Sequence, residues 1–290
     1  VELRTNDEKF LRITILGEDL FRLQASVDDE FTDEGSGTAP IVLKTEYPSV
    51  AVHISDQGSH HLITTSMMEI TVQVSPLQLE LRHLGTGEIL WKEIKPLILT
   101  EDSTIQTLAS TPEEHFFGGG QQNGTFQFKG RLMEISYSGG WEEGDRPSPA
   151  PFYMSDRGYG VLRNTWADGV YDFRSDRYLT AAHNENRFDA YYMLGESIHG
   201  VLNLYTRLTG RAGLLPRWAF EYGDADCFND GDNIDKPGTV PEGWSDGPTG
   251  TTIDVITVAE KYRQHDMPGG WILPNDGYGC GYSDLPEVVA

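Results

Sequence analysis

Met68-Glu69-Ile70-Thr71-Val72-Gln73-Val74 and, two residues on, Leu77-Gln78-Leu79-Glu80-Leu81-Arg82 decide the fold class. Apolar and polar side chains alternate through both runs, so an extended chain sends one set to a core and the other to water. Gly85-Thr86-Gly87 then supplies a turn. Working outward, Arg12-Ile13-Thr14-Ile15-Leu16 and Val50-Ala51-Val52-His53-Ile54 repeat the pattern. Half-buried alternation at short spacing is what stacked antiparallel sheets require. The reading predicts a β-sandwich over residues 1–215, strands almost throughout, with room for more than ten. Asp28 to Pro40 reads as an acidic loop, and the glycines of Gly118-Gly119-Gly120 and Asp156-Arg157-Gly158-Tyr159-Gly160 read as turns between strands.

The character changes after Arg211-Ala212-Gly213-Leu214-Leu215-Pro216, which makes 216–290 a second region. Arg217-Trp218-Ala219-Phe220-Glu221-Tyr222 reads as a buried strand, followed by a polar stretch from Gly223 to Gly250 that is long for a connection. A helix is expected from Ile253 to His265, with Ile253, Ile256, Ala259 and Tyr262 on one face, Thr251 or Thr252 as cap and Pro268 beyond its end. Gly270-Trp271-Ile272-Leu273-Pro274 supplies a second strand. Strand, helix and strand form a βαβ unit, the building block of parallel sheets and barrels. One unit cannot close a barrel, so the remainder is expected outside residues 1–290.

Composition narrows the function classes. Twenty-two Lys and Arg stand against 45 Asp and Glu, a net charge of −23. That sign excludes the basic footprint that nucleic acid or an anionic membrane surface requires. No apolar run approaches the roughly 18–20 residues of a spanning helix. The two cysteines, Cys227 and Cys280, follow the two strands expected to be neighbours; they either pair, as in an extracellular protein, or remain thiols. No CxxC, GxGxxG or phosphate-cradling loop is present, so a zinc or nucleotide site is not expected.

In a β/α barrel, working residues gather at the carboxyl ends of the strands. Here that address belongs to Asp224, Asp226, Asn275, Asp276 and Tyr278. Asp276 is the leading candidate. A carboxylate accepts bonds from two sugar hydroxyls while a ring such as Tyr278 covers the apolar sugar face; a turn cap beside Gly277 is the plainer role. Asp226, Asp230 and Asp232 offer oxygen ligands for calcium without the EF-hand spacing, and a solvated acidic loop needs none. Trp141-Glu142-Glu143-Gly144-Asp145-Arg146-Pro147 is a polar loop carrying an aromatic ring, either a plain connection or one reaching a neighbouring site.

Three stretches carry a resemblance. They are Glu114-His115-Phe116-Phe117-Gly118-Gly119-Gly120, Pro151-Phe152-Tyr153-Met154-Ser155-Asp156-Arg157-Gly158-Tyr159-Gly160-Val161, and Tyr205-Thr206-Arg207-Leu208-Thr209-Gly210-Arg211 running into Leu215-Pro216-Arg217-Trp218-Ala219. Together they resemble glycoside hydrolase family 31. The resemblance implies a mutarotase-like N-terminal β-sandwich, the first βαβ of a (β/α)8 barrel, and retaining chemistry on α-glucosides through two carboxylates. It aligns Asp276 with a substrate-binding aspartate, and Trp141 to Asp145 with a loop that reaches the first sugar subsite. The nucleophile and acid/base belong to later barrel strands, so neither role falls to a residue here. Leu273-Pro274-Asn275-Asp276-Gly277-Tyr278-Gly279-Cys280 departs from the usual segment and looks most like bacterial isomaltosyl- and glucosyl-transferring members and their α-glucan-hydrolysing relatives. The implied enzyme needs no cofactor, takes an α-linked oligosaccharide or polysaccharide, is completed by the rest of the barrel, and is extracellular and bacterial. The other reading is a non-catalytic carbohydrate-binding sandwich.

Overall fold

The computed structural model describes residues 1–4, 9–28, 30–31, 39–140, 142–225, 259–267 and 269–273. The chain divides into two compact units, Val1–Arg211 and Ala212–Ala290.

The first unit holds strands β1 (Glu2–Arg4), β2 (Phe10–Gly17), β3 (Leu20–Ser26), β4 (His53–Asp56), β5 (His60–Thr64), β6 (Met68–Val74), β7 (Leu77–His83), β8 (Ile89–Lys92), β9 (Ile98–Leu99), β10 (Thr104–Ala109), β11 (Phe116–Gln121), β12 (Leu132–Ile135), β13 (Ser148–Ser155), β14 (Tyr159–Arg163), β15 (Gly169–Asp172), β16 (Tyr178–His183) and β17 (Phe188–Leu194). A seven-stranded sheet runs β1-β2-β3-β17-β14-β13-β11, a five-stranded sheet β12-β15-β16-β10-β9, and a second five-stranded sheet β4-β5-β6-β7-β8. The alternating runs behave as their pattern dictates: Leu77, Leu79 and Leu81 are buried while Gln78, Glu80 and Arg82 stay half-exposed. One continuous core joins all three sheets, with Phe21, Tyr153, Val161 and Tyr192 from the first, Leu108, Met133, Tyr171 and Leu179 from the second, and Met68, Ile70, Val72 and Leu81 from the third.

The expectation of strands almost throughout the first region is corrected by a helix, α1 (Ile198–Thr209). Ser197 caps it, its Oγ accepting the Gly200 N–H at 3.2 Å, and Gly210 ends it at φ 99°. Val201, Leu204 and Leu208 pack with Leu20, Leu162, Tyr191 and Met193 on the outer face of the seven-stranded sheet. This explains why every residue of β17 is buried: one face meets the inter-sheet core and the other meets α1. The Val50–Ile54 run is also corrected, since the strand begins at His53 and residues 49–52 lie outside it.

In the second unit, Arg217–Phe220 is a turn of 3-10 helix with no buried residue, not the expected buried strand. The strand forms just after it, as β18 (Gly223–Ala225), and pairs in parallel with β19 (Trp271–Leu273), Asp224 opposite Ile272. Residues 259–264 between them are helical, within the expected Ile253–His265 span; 251–258 lie outside the described residues.

Candidate functional site

Two connections cross between sheets. Residues 122–131 leave β11 for β12, and 136–147 leave β12 for β13. Gly118, Gly119 and Gly120, just before the first of these connections, lie within β11 and not in a turn, at φ 121°, 79° and 75°. The register against β13 shifts between Gly118 and Gly120. A Cβ on Gly120 would lie 2.2 Å from the Ser148 carbonyl oxygen, so the strands approach this closely only through glycine.

The second connection is fastened at several points. Ser138 and Arg146 bridge, with Ser138 N–H donating to the Arg146 carbonyl at 3.1 Å. The Asp145 carboxylate accepts the Ser138 hydroxyl at 3.1 Å and the Glu142 N–H at 3.0 Å. Asn123 N–H donates to the Asp145 carbonyl at 2.9 Å, and Gly144 N–H to the Asn123 carbonyl at 3.0 Å, which ties the two connections together. The Arg146 guanidinium donates to the Ser136 and Gly144 carbonyls and pairs with Glu134 at 2.7 Å. Beside that pair lies an open groove of about 400 Å³, lined by Glu134, Ser136, Arg146, Asp168 and Asn184 among others. Half-buried Asp145 therefore spends both carboxylate oxygens on its own loop.

The sequence reading missed two rings here. Phe126 is 84% exposed and Tyr137 72% exposed, one on each connection. Phe126 is held edge-on against Phe117 at 5.5 Å. The signal was available in the sequence as a large aromatic in each of two polar connections.

Of the other candidates, Asp224 sits in β18. Trp141, Asp226, Asp230, Asp232, Asp276 and Tyr278, with Cys227 and Cys280, lie outside the described residues. Among the described residues no group of three or more His, Cys, Asp or Glu side chains is placed to hold a metal ion.

The interior carries charged groups that composition alone does not reveal. Burial and the Arg163 guanidinium push His183 down to about 3. Its Nδ1 faces the Ala167 carbonyl at 2.9 Å, which only accepts, so Nδ1 carries the hydrogen and Nε2 accepts a hydrogen bond from the Tyr171 hydroxyl at 2.9 Å. Arg163 is buried, donates to Thr104, pairs with Glu185 at 3.4 Å and lies over the Phe188 ring. Burial raises Glu185 above the ordinary carboxylate range, against the opposing pull of Arg163 and Arg187. The network is incomplete: among the described residues, Arg163 Nε and Nη1 and Glu185 Oε2 are buried without a hydrogen-bond partner.

Residues 10–172, more than half of the chain, match the family model for the glycosyl hydrolase 31 N-terminal galactose mutarotase-like domain. The chain belongs to glycoside hydrolase family 31. Among family 31 relatives, an isomaltosyltransferase of Sporosarcina globispora is 24% identical over 287 residues, covering 87% of this chain and 25% of its own. An alpha-xylosidase of Saccharolobus solfataricus is 36% identical over 72 residues, 25% of this chain and 10% of its own. A mutant of the Flavobacterium johnsoniae family 31 dextranase, complexed with isomaltotriose, superposes with a TM-score of 0.72 at 18% identity, over 91% of this chain and 31% of its own. The chain thus spans about a quarter of the isomaltosyltransferase's length and under a third of the dextranase's. The likeness to the dextranase shows the fold, and the β-rich sandwich matches the family's N-terminal domain.

Proposed function

We propose that this chain is the N-terminal portion of a retaining hydrolase or transglycosylase that acts on α-glucans or isomaltooligosaccharides. The supporting observation is the 87% of the chain that aligns with an isomaltosyltransferase. Residues 1–215 supply the sandwich, and 216–290 the first βαβ of a (β/α)8 barrel whose remaining strands carry the nucleophile and acid/base. Asp276, Tyr278, Asp224, Trp141 and Asp145 form this chain's share of the sugar site. Asp276 accepts sugar hydroxyls and Tyr278 covers the apolar face of the ring. Asp145 works through its loop, holding the backbone beside Trp141, and Phe126 and Tyr137 offer exposed rings, one on each connection. The chemistry needs no cofactor; Asp226, Asp230 and Asp232 are the residues to test for calcium. The enzyme is assigned outside the cell.

The test is a proton NMR time course of the full-length protein with isomaltooligosaccharides. Release of the α-anomer first, with turnover reduced at least about tenfold in Asp276→Ala because buried hydroxyls lose their acceptor, is the expected result. Release of the β-anomer first, or unchanged turnover in Asp276→Ala, overturns it. The 36% identical stretch shared with an alpha-xylosidase supports a second reading, an α-xyloside substrate. Running an α-xyloside beside the glucan decides between them, and no turnover of either leaves a carbohydrate-binding sandwich.

A further inference from the structure

Glu93 sits where the chain passes from one five-stranded sheet to the other. Its N–H donates to the Leu79 carbonyl in the β4–β8 sheet at 2.8 Å, and the next residue, Ile94, donates to the Thr107 carbonyl in the other at 3.1 Å. The side chain is 5% exposed. Its Oε2 accepts the Leu79 N–H of β7 at 3.0 Å, and its Oε1 accepts Nε2 of Gln106 on β10 at 2.7 Å. Gln106 Oε1 in turn accepts the hydroxyl of Tyr192 on β17 at 2.8 Å. Tyr192 is clamped between Phe21 at 4.8 Å and Trp91 at 4.9 Å. One hydrogen-bonded rod therefore runs through the core and touches all three sheets.

The direction of the rod is set by the carboxylate. With Glu93 ionised both oxygens accept, so Gln106 donates toward Glu93 and Tyr192 donates toward Gln106. A protonated Glu93 has a hydrogen to give, and two facing N–H donors leave it no acceptor in this arrangement. Flipping the Gln106 amide gives that hydrogen an acceptor: Glu93 then donates to Oε1 of Gln106, whose Nε2 donates to the Tyr192 oxygen, and the Tyr192 hydroxyl hydrogen rotates away from Gln106. No charged side chain bonds to Glu93 among the described residues. The titratable groups around it are Tyr192 from β17, held neutral by burial, with Glu80 of β7 and Lys92 of β8 toward solvent. From β10 it meets Gln106 and Thr107, which do not titrate. A groove of about 400 Å³ lined by Thr71, Gln73, Gln78, Glu80, Lys92 and Glu93 gives a proton its route from solvent.

We propose that this rod is a pH-sensitive switch, in which proton uptake by Glu93 reverses the hydrogen-bond direction from Glu93 through Gln106 of β10 to Tyr192 of β17, the Leu79 N–H of β7 remaining a donor throughout. Burial raises the Glu93 carboxyl to about 7, which puts the transition near neutrality. The folded state holds this proton more tightly than the unfolded chain. The stabilisation is thus complete below the ordinary carboxylate range and is lost as pH rises through about 7. Buried His183 acts in the opposite sense in acid, so the comparison that isolates Glu93 is with Glu93→Gln, which carries its own N–H and keeps the protonated direction at every pH.

Thermal melts of the full-length protein and Glu93→Gln from about pH 5 to about pH 8.5 are expected to diverge, the variant gaining roughly 5–10 °C over the natural protein at the alkaline end. A difference that stays constant across the range overturns the switch. Infrared difference spectra between the same limits are expected to show the carbonyl band of a protonated acid that vanishes in Glu93→Gln and shifts in Tyr192→Phe. A band indifferent to Tyr192 overturns the reversal of the rod. The infrared measurement stands even where a variant's melt is altered for other reasons.

Discussion

Asp189 accepts four donors on two oxygens: Arg22 Nε at 2.8 Å and Nη2 at 2.7 Å, Arg187 Nη1 at 2.9 Å and Asn164 Nδ2 at 2.8 Å. The carboxylate is buried and its two arginines nearly so. Removing the shared acceptor takes from two poorly solvated guanidinium groups the carboxylate that balances them, which costs more than any one of the bonds was worth. Asp189→Ala is expected to lose about 3 kcal/mol of unfolding free energy, read as a lower urea midpoint at unchanged slope. Asp189→Asn keeps the shape and loses the charge, and falls between. Such a hub is hidden in the sequence. Phe188-Asp189-Ala190-Tyr191-Tyr192 places an acid in an apolar run, but its partners Arg22 and Asn164 stand 167 and 25 residues away.

At the scale of elements, strand β11 shows how a short motif sets a close approach between two strands. Gly120→Ala puts a methyl against the Ser148 carbonyl and the Ala150 nitrogen at a positive φ. It is expected to cost roughly 2 kcal/mol or more, visible as a lower melting temperature and faster hydrogen exchange across 136–147. The sequence named these glycines but placed them in a turn, because a bulge inside a strand is defined only by its partner. Alternation in β6 and β7 was legible since one face of each meets water. In β17 the signal vanished, because α1 buries the second face. The helix itself carried its signs: Ser197, then Val201, Leu204 and Leu208, then Gly210. Its Thr206 and Thr209 hydroxyls bond back to helix carbonyls and weaken its propensity. Of the site, the loop around Asp145 was legible from its polarity, whereas the bonds that consume its carboxylate required the folded neighbours.

For the molecule as a whole, the sheets differ in how far apart their strands lie along the chain. The β4–β8 sheet is a meander in which every strand pairs with its neighbour in sequence. The seven-stranded sheet instead seats β3 against β17, Phe188 opposite Ala25 and Met193 opposite Leu20. Local pairings close small loops and form early, while distant ones must first meet the entropy of a long closure. Pulse-labelled hydrogen exchange during refolding is expected to protect residues 68–83 before residues 20–26; the reverse order would show that the long-range pair nucleates the fold.

That single pairing also governs the chain while it is being made. Strand β3 leaves the ribosome early and pairs with β2, but its other edge has no native mate until β17 follows, more than 160 residues later. At roughly 5–20 residues per second that is a wait of about 10–30 s, during which an edge bearing Phe21 and Leu23 stands open to other nascent chains. The speed of translation between residues 27 and 187, rather than any contact in the finished sandwich, sets how long this protein is exposed to misassembly.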